Sequence, residues 1–221
     1  MARPKKKEHP YVGRGGVKLE AALKAFNIEV KGRIALDVGA STGGFTDCLL
    51  QHGAAKVYAI DVGYGILDWK LRNDPRVKVL ERTNIRYLNV EECGARTADL
   101  AVVDVSFISL SKVLPVVYGL LADKAAVIAL IKPQFEAKRE QVERGGIVRS
   151  EEVREEVVRG IKTAAKGGGY RVQGVVESPI TGADGNVEYL IYLQKQDTFP
   201  DKHQDTKGTV KPMAALAFTS P

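Results

Sequence analysis

Leu36-Asp37-Val38-Gly39-Ala40-Ser41-Thr42-Gly43-Gly44-Phe45-Thr46 decides how this chain folds. An apolar run over 34–38 meets a turn of small residues, and a helical pattern follows. A strand feeding such a turn belongs at the carboxyl edge of an open α/β sheet, where ligands bind. Glycine lets the backbone approach a ligand with no Cβ in the way. A second apolar run, 57–60, ends in Asp61. That acid stands about 20 residues past the turn, where a nucleotide fold turns a carboxylate toward ribose hydroxyls. These residues predict a site for an adenosine-containing ligand.

The spacing narrows the ligand. Gly39-x-x-x-Gly43-Gly44 does not fit the dinucleotide pattern G-x-G-x-x-G, and no G-x-x-x-x-G-K-[ST] phosphate loop is present. The turn carries no Lys or Arg to meet a phosphate. Adenosine without phosphates points to S-adenosylmethionine. The expected contacts are Asp37, Gly39, Ser41, Thr42, Gly43, Gly44, Phe45 and Thr46 on the turn, with Asp61 and Asp104. Asn84, after the third strand, is expected near the adenine or as a shaper of its own turn. The competing reading is a turn that serves packing alone; the downstream acid and the strand before it argue against that.

Outward from the turn, strand and helix patterns alternate. Strands are expected over 34–38, 57–60, 77–80, 100–104 and 126–131. They are mostly apolar runs, as suits strands covered on both faces. Helices are expected over 17–26, 44–52, near 68–73, and over 110–121. A further helix follows Ser150, with Val153, Val157, Val158 and Ile161 as its buried stripe and Gly167-Gly168-Gly169 as its stop. Two last strands, 170–178 and 188–194, are joined by a short stretch without a helix, so they should be antiparallel. The fold class is therefore α/β: a Rossmann-like, mostly parallel sheet with a final antiparallel strand and helices on both faces. Residues 1–10 read as a basic flexible arm, 11–195 as the single domain, and 196–221 as a flexible tail.

The 221 residues carry a formal net charge of +6, which favours an anionic partner. Cys48 and Cys93 form no C-x-x-C pair, and His9, His52 and His203 are scattered, so no metal site is expected. The basic start runs into Glu8-His9-Pro10 rather than an apolar stretch, and no apolar run approaches a membrane span. A cytoplasmic protein is the resulting expectation.

Four charged residues fall where charge is costly unless used. Asp104 ends one apolar strand and Lys132 another. Glu188 opens the final strand, and Lys18 starts the first helix after Arg14-Gly15-Gly16. If the last strand is antiparallel, all four gather at the ligand edge of the sheet. That grouping suits methyl transfer to a ribose 2′-hydroxyl, a weak acid that must lose its proton as it attacks. A lysine serves as base when its pKa falls, and a second lysine nearby favours that. Carboxylates orient the ammonium groups while opposing the shift. The plainer alternative is a pair of strand-end salt bridges.

Several stretches together carry a resemblance. They are Arg14-Gly15-Gly16-Val17-Lys18-Leu19, the turn over 37–46, Asp104-Val105-Ser106-Phe107-Ile108-Ser109, Lys132-Pro133-Gln134-Phe135-Glu136 and Asp184-Gly185-Asn186-Val187-Glu188. In this order they resemble the hemolysin A (TlyA) family of FtsJ-like ribosomal RNA 2′-O-methyltransferases, from about residue 11 to 193. The resemblance implies S-adenosylmethionine as donor and cytidine ribose in ribosomal RNA or ribosomal subunits as acceptor. It also implies a Lys-Asp-Lys-Glu tetrad at Lys18, Asp104, Lys132 and Glu188. Members usually carry an S4-type RNA-binding module before the Arg-Gly-Gly motif. Only about a dozen residues precede it here, so the chain is expected to lack that module.

Phe107, Phe135 and Tyr189 flank the expected site and suit either base stacking or the core. Lys138, Arg139, Arg144 and Arg149 follow Lys132 and suit either a solvated face or a grip on phosphates. Three other functions compete with RNA methylation. They are a small-molecule methyltransferase on the same fold, a nucleotide-binding module without catalysis, and a membrane-active hemolysin. The last has no spanning helix or alternating barrel strands in its favour.

Overall fold

The computed structural model describes residues 9–88, 93 and 98–197. Residues 1–8 of the expected arm and 198–221 of the expected tail lie outside these. In chain order the elements are α1 (Gly15–Ala25), β1 (Ile34–Val38), α2 (Gly44–Gln51), β2 (Lys56–Ile60), α3 (Trp69–Arg72) and β3 (Val77–Leu80). Then come β4 (Leu100–Val103), α4 (Leu110–Leu120), β5 (Ala126–Ile131), α5 (Pro133–Glu136), α6 (Glu151–Gly167), β6 (Tyr170–Glu177) and β7 (Tyr189–Lys195). Short 3₁₀ turns span Ile85–Tyr87 and Arg139–Gln141.

One seven-stranded sheet runs β3-β2-β1-β4-β5-β7-β6. The strands β3 to β5 pair in parallel, whereas β7 runs antiparallel to both β5 and β6. Every residue of β4 and β5 is buried, which is why both read as unbroken apolar runs. On one face, Leu36, Val103 and Ile131 pack with Leu110, Val113 and Val117 of α4 and with Val157, Ile161 and Ala165 of α6. On the other, Ala35, Val102 and Leu130 pack with Leu19 and Leu23 of α1 and with Phe45 and Leu49 of α2.

The α6 stripe differs from expectation. Val157, Ile161 and Ala165 are its buried residues, and Val153 and Val158 are only half-buried. The three buried residues form an i, i+4 row that packs in the core on that face of the sheet. The helix is capped as the sequence suggests: the Ser150 hydroxyl accepts the Val153 N–H at 3.2 Å. Strand β4 ends one residue before Asp104, yet the Asp104 N–H still donates to Val38 O at 2.9 Å.

Two features of this topology place the site. Strand order reverses between β1 and β4, which opens a crevice at their carboxyl ends. Ile131 stands opposite Tyr189, so Lys132 and Glu188 come one step further along the same two strands.

Candidate active site

The turn after β1 is bound to its neighbours by close backbone packing. Gly39 has φ +85°, and a Cβ there would lie 2.3 Å from the carbonyl oxygen of Asp104. The Gly39 and Ala40 N–H groups both donate to Ile60 O, at 2.9 and 3.1 Å. Ser41 follows in a left-handed conformation, φ 48°, and its N–H donates to Asp61 Oδ2 at 2.8 Å. The other carboxylate oxygen, Asp61 Oδ1, accepts the Gly63 N–H at 2.7 Å. Each oxygen thus keeps a lone pair for a further donor. Asn84 Oδ1 accepts the Arg86 N–H at 3.1 Å and so starts the Ile85–Tyr87 turn.

A cleft of about 720 Å³ opens at this edge, walled by Gly39, Ser41, Asp61, Asn84, Asp104 and Phe107 among others. Five of the residues expected to touch a ligand therefore wall it. Asn84 does so while also shaping its turn.

Gly43, Gly44, Phe45 and Thr46 are buried and lie behind the turn instead of on the cleft wall. The reason is that α2 starts at Gly44 and α1 begins directly against it. A Cβ on Gly44 would sit 3.0 Å from Gly16 N and 3.1 Å from Gly13 O. Thr42 is exposed but does not wall the cleft; its carbonyl accepts the Asp68 N–H at 3.1 Å. Asp37 is wholly buried, and its Oδ2 accepts the Thr46 hydroxyl at 2.6 Å. Its Oδ1 has no hydrogen-bond partner among the described residues. Burial, with a smaller push from Asp104 and Asp61, raises the Asp37 carboxyl to about 7.

The four charged residues form two ion pairs. Lys132 Nζ lies 2.6 Å from Asp104 Oδ1 and donates to Ser106 Oγ at 2.9 Å. Lys18 Nζ pairs with Glu188 Oε2, both residues being buried. The first turn of α1 comes close to the other pair, since a Cβ on Gly15 would be 3.9 Å from Asp104 Oδ2. Ser106 was not singled out from the sequence. Its signal in the sequence is its place in the stretch Asp104-Val105-Ser106-Phe107-Ile108-Ser109, two residues past Asp104.

Phe107 is 89% exposed and left-handed, φ 62°. Its ring lies 4.9 Å, centroid to centroid, from that of Phe135. Tyr189 is placed elsewhere. It packs on the α6 face and lines a separate groove with Val158, Lys162 and Val175, because adjacent strand residues point to opposite faces. Lys138, Arg139, Arg144 and Arg149 are all exposed, and Arg149 is paired with Glu143 at 3.0 Å. Asn186 holds this basic stretch to the turn before Glu188. Its Oδ1 accepts the Val148 N–H at 2.9 Å and its Nδ2 donates to Gly146 O at 2.8 Å. Among the described residues, no helix is long and apolar enough to cross a membrane. No group of three or more His, Cys, Asp or Glu that could hold a metal ion occurs among them either.

A family model described as FtsJ-like methyltransferase matches residues 11–195. The 16S/23S rRNA (cytidine-2′-O)-methyltransferase TlyA of Mycobacterium tuberculosis is 51% identical over 201 residues, covering 91% of this chain and 74% of its own length. The YqxC protein of Bacillus subtilis is 51% identical over 183 residues, which cover 83% of this chain. The match spans only 65% of the Bacillus protein's own length. A solved structure from Streptococcus thermophilus, 47% identical, superposes with a TM-score of 0.84 over 88% of this chain and 70% of that one.

Proposed function

This chain belongs to the FtsJ-like methyltransferase family, and from that premise we propose that it methylates the 2′-hydroxyl of a cytidine ribose in ribosomal RNA with S-adenosylmethionine as donor. The observation that carries this reading is the pair of lysine–carboxylate contacts: Lys132 on Asp104, which walls the cleft, and the buried Lys18–Glu188 pair of the helix whose first turn approaches Asp104. The residues present fit the donor. The turn has no cation for a phosphate, and Asp61 keeps free lone pairs for ribose hydroxyls. Beneath that turn Asp37 has a buried carboxylate oxygen without a hydrogen-bond partner among the described residues. When bound, S-adenosylmethionine supplies a methyl group activated by its sulfonium.

The chain's own residues then divide the work. Lys132, in its neutral form, takes the proton of the attacking 2′-hydroxyl. Asp104 and the Ser106 hydroxyl fix where the Lys132 nitrogen stands. Lys18, held by Glu188, grips the ribose or its phosphate. Phe107, exposed at the cleft mouth beside Phe135, offers a face on which the target base stacks. Lys138, Arg139 and Arg144 contribute exposed charge for the RNA backbone. The domain that does this spans residues 11–195, the matched stretch.

The test is transfer of tritiated methyl from S-adenosylmethionine to ribosomal subunits that lack the modification, with Lys132→Ala in parallel. Wild type should label the RNA. The variant should lose transfer by about 10²-fold or more while still binding donor, because its role belongs to the transition state. Wild-type protein that labels no RNA, or an alanine variant at full rate, would overturn the reading.

A further inference from the structure

We propose that Glu136 is a positioning residue that clamps the wall at 104–110 to the stretch 132–136, and so fixes the seat of the Lys132 nitrogen. Leu110 opens α4, and its N–H is one of the donors a helix start leaves without an internal partner. The local cap does not serve it: the Ser109 hydroxyl accepts the Ser111 N–H, at 3.1 Å. The Leu110 N–H instead donates to Glu136 Oε1 at 2.8 Å, across 26 positions of sequence. A carboxylate is well placed there, at the positive end of an 11-residue helix.

The two stretches therefore meet at three points. Lys132 reaches Asp104 and Ser106 at one end, Phe135 meets Phe107 in the middle, and Glu136 holds Leu110 at the other end. The wall between needs holding. Phe107 is left-handed at φ 62°, a conformation a bulky side chain adopts only when its surroundings impose it. The Phe107 ring meets that of Phe135, and the stretch is anchored on either side, by Lys132 on Asp104 and Ser106 and by Glu136 on Leu110. Lys132 is a long side chain, and its nitrogen stands where Asp104 and Ser106 put it. Loosening the far end of that wall therefore reaches the proton acceptor without touching it.

The activity arm of the test rests on the methyl-transfer reading; the exchange arm does not. Wild type, Glu136→Ala and Glu136→Gln are compared by amide hydrogen exchange over 104–112, by donor affinity, and by the transfer rate to ribosomal subunits. Glu136→Ala should exchange about tenfold faster over that stretch and lose about tenfold in kcat, with donor affinity within about threefold. Glu136→Gln keeps an acceptor oxygen and should restore both exchange and kcat to within about threefold of wild type. Unchanged exchange in Glu136→Ala would overturn the clamp. Faster exchange with unchanged kcat, or a glutamine variant as impaired as alanine, would overturn the positioning role. A wild type that transfers no methyl at all would defeat the functional reading, and the exchange arm would still decide the clamp.

Discussion

Lys132 sits one residue beyond a strand whose six side chains are all buried and apolar, and its nitrogen reaches Asp104 and Ser106. Its assignment to the attacking hydroxyl makes a sharp demand. Lys132→Arg keeps the charge and the carboxylate partner, but a guanidinium does not give up its proton near neutral pH. Transfer by that variant should fall by about 10²-fold or more, with donor affinity within about twofold of wild type. A near-normal rate would leave Lys132 as an electrostatic clamp. Asp37 makes a different demand. Its carboxyl is raised from 3.8 to about 7, chiefly by burial. The folded chain then binds a proton that the unfolded chain releases, so Asp37 lowers stability progressively as pH rises from about 4 to about 7. Asp37→Asn keeps an acceptor for the Thr46 hydroxyl and removes that slope. The variant's melting temperature relative to wild type should therefore climb between pH 5 and pH 8. A constant offset across that range would contradict the burial argument.

At the scale of elements, the strands were legible because each is an apolar run cut off by a turn residue or a charge. The bounds of β1, β3 and β5 follow the sequence to the residue. The antiparallel β6–β7 pair followed from a connection too short for a helix. The single-turn helix α5 and the two 3₁₀ turns were not legible, since so few residues show no periodicity. Glu136 lies in α5 and Ser106 in the loop after β4, and each acts through a contact 26 positions apart that no local pattern signals. The glycine turn was legible as a ligand edge, but not how it divides. Its first half walls the cleft, while its second half is consumed in starting α2 against α1. Gly39→Ala puts a Cβ 2.3 Å from the Asp104 carbonyl in a backbone already at φ +85°. Denaturation should show a loss of about 1–3 kcal/mol, and calorimetry a weaker donor affinity. A variant of wild-type stability and affinity would show that the β1 turn and the β4 end do not need this contact.

The whole chain carries a formal net charge of +6, and exposed Lys138, Arg139 and Arg144 stand in the stretch that Asn186 ties to the Glu188 turn. RNA bound through such groups displaces counterions. Affinity for ribosomal RNA should fall by at least about tenfold between 50 and 200 mM salt. Affinity that ignores salt would mean recognition by stacking or shape, with Phe107 rather than the basic stretch as its centre. The proposed reaction is methylation of a cytidine ribose at its 2′-oxygen, the activity for which the Mycobacterium tuberculosis relative is named. The most direct measurement digests ribosomal RNA to nucleosides after incubation with wild-type protein and S-adenosylmethionine, and identifies the new product by mass spectrometry. The account predicts 2′-O-methylcytidine in wild type and none with Lys132→Ala; a base-methylated nucleoside, or the same product from both proteins, would contradict it.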